Sequence, residues 1–113
     1  MKITSKLEVA TEKCSPERLR KAQVFLDGEI MRTCAPYVPH LSGTLEGSAE
    51  PHTIPGSGIV TWKTDYAQRQ YYENKGTDGL RGGRWFDRAK ADHQGEWKDG
   101  IVEILGGENG SDH

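Results

Sequence analysis

Apolar side chains are scarce in this chain. They make up 34% of its 113 residues, against roughly 45–50% in an average globular sequence. No run approaches the ~18 consecutive apolar residues of a membrane-spanning helix, so none is expected. The opening stretch MKITSKLEVATEKC also lacks the apolar centre of a secretion signal. The chain is therefore expected to stay in the cytoplasm of the cell that makes it. Cysteine is nearly absent: Cys14 and Cys34 are the only two. Without a CxxC spacing they form no zinc motif, and in a reducing compartment they are expected as separate thiols rather than a bridge. An excess of positive charge is missing too. Fifteen Lys and Arg stand against 17 Asp and Glu, a net −2. A dedicated DNA-binding chain carries a clear basic surplus to meet phosphate, so nucleic acid is not expected as the main partner.

Catalytic patterns are equally sparse. There is no GxSxG elbow, no GxGxxG after a strand and no Walker loop. The four histidines, His40, His52, His93 and His113, are scattered. His93 and Glu96 share ligand spacing at i and i+3, but a metal needs at least three converging ligands and a supporting shell. A nucleophile could be sought in Cys34 with His40, or in Ser42 or Ser48 with His52, yet no third orienting group can be named. Catalytic, cofactor and metal residues are accordingly expected to be none, with no small-molecule substrate.

What is present suits one α+β domain. Ile3, Leu7 and Val9 share one parity over residues 2–10, the period of a strand with one wet face. Ser5 on the apolar side interrupts it. Ser15, Pro16 and Glu17 form a helix start, and Leu19, Ala22, Leu26 and Ile30 recur at helical spacing, predicting a helix over 16–33 that Pro36 and Pro39 stop. Residues 49–54 and 58–64, around Pro55-Gly56-Ser57-Gly58, read as a hairpin. Asp65 is placed to cap a short helix from Tyr66 to Glu73. Residues 74–83, NKGTDGLRGG, read as a mobile loop with four glycines. Trp85, Ala89, His93, Trp97, Ile101 and Leu105 then repeat every four residues, an amphipathic helix from about Arg84 despite Gly95 and Gly100. The expected architecture is two main helices packed on a small antiparallel sheet, with a short extra helix and a mobile glycine-rich loop. Residues 1–105 form the domain, and 106–113 a flexible polar tail.

A small core and 14 glycines suit a part that gains order from neighbours. Tyr and Arg are favoured at interfaces because they join large area to a polar tip. Tyr66 and Tyr71 are expected to pack inside on Trp85 and Phe86. Tyr72, Lys75, Gly79, Leu80, Arg81 and Arg84 are the candidate interface.

Three stretches, taken in order, resemble one family. Tyr37-Val38-Pro39 precedes the turn Ser42-Gly43-Thr44-Leu45. Ile59-Val60-Thr61-Trp62 leads into Asp65-Tyr66-Ala67 and Gln70-Tyr71-Tyr72, similar to a strand followed by "TPYA…YY". Gly83-Arg84-Trp85-Phe86-Asp87-Arg88-Ala89-Lys90, with Trp97 beyond, is similar to a "WFExAK" helix start. These resemble the minor capsid proteins of long-tailed phages and prophages of Gram-positive bacteria, which look related to neck and tail-completion proteins. The resemblance implies a structural virion subunit, made in the host bacterial cytoplasm and built into a ring at the head–tail junction. Its implied partners are identical subunits and the portal, adaptor or tail proteins, with a passing contact to DNA, no membrane and no cofactor. Two other readings compete. Arg81, Arg84, Arg88, Lys90 and Lys98 suggest a nucleic-acid-binding packaging module. His93 with Glu96 or Asp92 suggests a small metal-dependent hydrolase.

Overall fold

A computed structural model of the chain describes residues 1–7, 15–39 and 44–110. It is of mixed helix and strand: β1 Lys2–Thr4, α1 Pro16–Cys34, α2 Ala49–His52, β2 Ile59–Thr61, α3 Ala67–Glu73, β3 Thr77–Asp78, β4 Arg81–Gly82 and α4 Trp85–Gly110, with 3-10 turns at Ala35–Tyr37 and Glu46–Ser48. The α+β expectation therefore holds.

α1 begins as its sequence dictates. Ser15 is extended, and its hydroxyl accepts the Arg18 N–H at 3.1 Å, satisfying one donor that the first turn leaves orphaned. Leu26 and Ile30 enter the core. α4 lies along α1, bonded near both ends: Trp97 Nε1 donates to Thr33 Oγ1 at 3.2 Å and Arg18 Nη1 to the Ile104 carbonyl at 2.9 Å. Trp85, Ala89 and Trp97 of the four-residue stripe are buried, and His93 and Ile101 are half-buried. Gly100, unfavourable for a helix in isolation, has its reason here. A Cβ at that position would collide with the Phe25 ring, so the missing side chain sets how closely the two helices approach. A second aromatic group fills the other end of the core. Trp62 meets Trp85 edge-on at 5.7 Å, and Tyr71 meets Trp85 at 4.7 Å. Such pairs add about 0.5–1.5 kcal/mol beyond the area they bury.

Four local expectations are corrected. The hairpin of 49–54 with 58–64 does not form. Residues Ala49–His52 are helical, and β2 pairs instead with β1, antiparallel, with Ile3 opposite Val60. Thr53 is bonded to β2, its hydroxyl accepting the Thr61 N–H at 2.9 Å. The described strand at the start is three residues, not nine, and positions 8–10 lie outside the described residues. Asp65 does not cap α3. Thr64 does the local work, accepting from Tyr66 N–H on its hydroxyl and from Ala67 N–H on its carbonyl. Residues 74–83 are not a featureless loop: β3 and β4 form a small hairpin turning through Gly79, whose φ of +67° is the left-handed region that glycine enters freely.

The largest surprise in the fold is Asp27. It is fully buried in α1, and its carboxylate holds four donors. Oδ1 accepts from Ser5 Oγ at 2.5 Å and Gln23 Nε2 at 2.9 Å. Oδ2 accepts the backbone N–H of Gly56 at 2.8 Å and Gly58 at 3.1 Å. A carboxylate has about four lone-pair positions, so all are used. Gln23 adds a fifth tie, taking the Leu7 N–H at 2.8 Å. These two side chains fasten the sheet and its turn to α1. Ser5, which broke the apolar alternation of the first strand, faces inward for this purpose.

Candidate functional site

The third motif is explained by how α4 starts. Gly83 rests on the end of α3, where a Cβ would lie 2.9 Å from the Tyr71 carbonyl oxygen and 3.0 Å from that of Gln70. Arg84 follows with φ +49°, left-handed, and donates its N–H to the Tyr71 carbonyl at 2.9 Å. That turn directs the Trp85 indole into the core and the Arg84 guanidinium outward. The guanidinium lies 5.0 Å from the Tyr72 ring centre and 3.7 Å from Asp87. An arginine over an aromatic face is attractive by about 0.5–1 kcal/mol at an exposed position. Tyr71 is buried and Tyr72 is 51% exposed. The second and third motifs thus each split into one core aromatic and one surface group, and the surface groups meet.

Of the six interface candidates, Tyr72 and Arg84 are brought together. Gly79 and Leu80 lie at the tip of the β3–β4 hairpin, with Leu80 51% exposed. Lys75 is exposed on the link before β3. Arg81 points back into the molecule and donates to the Val38 carbonyl at 2.8 Å. Arg88 is used similarly. Its fork donates to the carbonyls of Gly83 at 2.9 Å, Leu80 at 2.5 Å and Tyr37 at 3.1 Å, and the group stacks 5.4 Å over the Tyr37 ring. Two of the arginines behind the nucleic-acid reading therefore hold the hairpin against α4 and the segment after α1.

The catalytic candidates are spread out and engaged. Ser48 Oγ donates to the Leu45 carbonyl at 2.7 Å and accepts the Lys63 N–H at 3.0 Å. His52 Nδ1 donates to the Ser48 carbonyl, not to its hydroxyl. Cys34 is buried, and desolvation pushes its thiol up to about 12, so it stays protonated at neutral pH. Cys14, His40, Ser42 and His113 lie outside the described residues. His93 bonds Glu96 through Nδ1, and its Nε2 lies 3.4 Å from the Tyr37 hydroxyl, which donates to Asp92 at 2.5 Å. That hydrogen bond, with burial behind it, raises the Tyr37 pKa. Among the described residues no group of three or more His, Cys, Asp and Glu could hold a metal ion, and no helix is long and apolar enough to cross a membrane.

One surface escaped the sequence reading. The outer face of β1 and β2 carries Lys2, Thr4, Ile59 and Thr61, opposite the inward Ile3 and Val60. It opens into a groove lined also by His52, Ile54 and Lys63. Ile54 is 75% and Ile59 40% exposed. The alternation of β2 signalled Ile59 as outward; nothing local signalled that Ile54 would join it.

The described part of the molecule is thus a small α+β fold, distinguished by its exposed aromatic, cationic and aliphatic surfaces. A family described as minor capsid protein matches residues 1–104, and the chain belongs to it. No curated protein and no solved structure matches the chain. Membership makes it a structural protein of the phage virion, as the three motifs implied.

Proposed function

We propose that this chain is a subunit of a ring at the phage head–tail junction, as a minor capsid, head–tail connector or tail-completion protein. Its phage or prophage infects or resides in a Gram-positive bacterium, in whose cytoplasm the chain is made. The observation that carries the proposal is the family match over residues 1–104, which spans all three motifs. The geometry supports it. The motif residues Trp62, Tyr71 and Trp85 build the core, while Tyr72 and Arg84 remain on the surface with Leu80 and Lys75 nearby in sequence. Aromatic and arginine groups of this kind are common anchors of protein interfaces. In this reading residues 1–105 are the domain and 106–113 a polar tail, of which residues 106–110 continue α4, and the patch contacts the portal, adaptor or tail protein, with DNA touched only in passing.

The test is imaging of phage particles that lack the chain, beside the wild type. The expected result is heads and tails that fail to join, with joining restored when purified chain is added. Normal particles in its absence, or a purified chain that neither forms rings nor attaches to particles, would refute the proposal.

A further inference from the structure

We infer that the groove on the outer face of β1 and β2 receives the exposed side of α4 around Val102 from a second copy of this chain. This rests on the assembly reading above and names the contact between identical subunits.

The groove is apolar at its centre and basic at its margin. Ile54 and Ile59 expose their side chains, Lys2 and Lys63 flank them, and no carboxylate lines the groove. Neither lysine forms an ion pair among the described residues. The matching surface supplies an aliphatic side chain with acidic neighbours. Val102 is 66% exposed, the same order of aliphatic exposure; Asp99 sits one turn before it on the same face, and the exposed Glu103 follows it in sequence. Lys98 lies one turn before as well, and Glu103 borders the pocket lined by Arg18 and Lys21 of α1. Neither Asp99 nor Glu103 forms an ion pair among the described residues.

The two surfaces cannot meet within one molecule. The sheet and its turn are fastened to α1 through Gln23 and Asp27, whereas α4 meets α1 at Arg18, Phe25 and Thr33. At 3.6 residues per turn, positions 25 and 27 point about 200° apart. α1 therefore stands between groove and patch. A contact between two different faces of identical copies is heterologous, and where its rotation closes it gives a ring. Duplex DNA is the weaker fit, because two lysines around two isoleucines offer few phosphate contacts.

The test has two arms. In particles carrying Ile54→Cys together with Val102→Cys, oxidation should yield disulfide-linked multimers of the chain, with neither single variant doing so. Particles that contain the chain at its normal level yet yield no multimers overturn the contact and leave the assembly reading standing. Absence of the wild-type chain from purified particles overturns the assembly reading itself. In solution, Lys2→Glu with Lys63→Glu, or Asp99→Lys with Glu103→Lys, should each weaken self-association in sedimentation by about tenfold, and all four together should restore it. Unchanged association in either pair, or no recovery in the quadruple variant while its circular dichroism stays native, overturns the inference. So does salt-dependent capture of duplex DNA that the Lys2→Glu, Lys63→Glu variant loses, which would assign the groove to nucleic acid.

Discussion

Replacing Asp27 should unfold this protein more readily than replacing any other carboxylate described above. The carboxylate satisfies four donors, two of them the backbone N–H groups of Gly56 and Gly58. In Asp27→Asn one oxygen remains to accept, and the new amide presents hydrogens to donors. The Ser5 hydroxyl can rotate and accept; Gln23 can accept only by flipping its amide and giving up the Leu7 N–H, and the two backbone N–H groups cannot accept. In Asp27→Ala all four lose their acceptor. A buried donor left without a partner costs about 1–3 kcal/mol, and bonds to a charged group contribute about 1.5–3 kcal/mol each. Relief of the buried charge offsets part of this. The net loss should be about 2–4 kcal/mol for Ala and about 1–3 kcal/mol for Asn. At about 4 °C per kcal/mol for a domain of this size, Asp27→Ala should melt about 8–16 °C lower. The assay is thermal unfolding by circular dichroism together with amide hydrogen exchange. Exchange at Gly56 and Gly58 should accelerate even in the milder Asn variant, since the turn is released before the helices part. A fall of under about 4 °C in both variants, or unchanged exchange at those two amides, would refute the clamp.

Three further outcomes follow from the geometry. Gly83→Ala places a Cβ against three backbone carbonyls at the end of α3 and should cost about 1–3 kcal/mol, whereas Gly95→Ala, with nothing within 4 Å, should gain about 1 kcal/mol; equal melting temperatures would contradict this. Arg88→Lys cannot reach three carbonyls with one ammonium and should lose about 1–2 kcal/mol in urea unfolding, and a wild-type midpoint would count against the tie. Cys34 and Tyr71 both titrate near 12 when folded, pushed up by burial, against 9.0 and 10.0 ordinarily. Folding favours their protonated forms, so the stability they contribute is complete below pH 9.0 and should fall as pH rises towards 12. Unfolding free energy measured from pH 8 to 11 should decline, and Cys34→Ala should flatten the earlier part of the fall.

The two long helices were legible because their signals are local. Ser15, Pro16 and the stripe from Leu19 to Ile30 carry α1 without help from elsewhere, and the four-residue repeat from Trp85 carries α4. The sheet was not legible, because its pairing is decided by partners far apart in the chain. Val60 could have paired with residues 49–54 by alternation alone, but those residues turn into a helix and Ile3 takes their place. Asp27 was invisible for the same reason: a charged residue on a helix looks solvated until a turn 29 residues later supplies the N–H groups that bury it. Among the interface candidates, chemistry identified Tyr72 and Arg84 as companions. It could not show that Arg81, with the same side chain, turns inward to bond Val38.

The bond between Arg18 and the Ile104 carbonyl spans 86 positions, and that between Trp97 and Thr33 spans 64. α1 thus lacks the long helix it packs along until residues 97–104 have been synthesised, and β1 waits for residues 59–61. Contacts between segments this far apart close late and slowly, so the pairing of the two long helices comes after the local turns and the β1–β2 pair. A virion part made this way offers its surfaces only after those distant closures, which leaves construction of the particle to be timed by the supply of folded subunits.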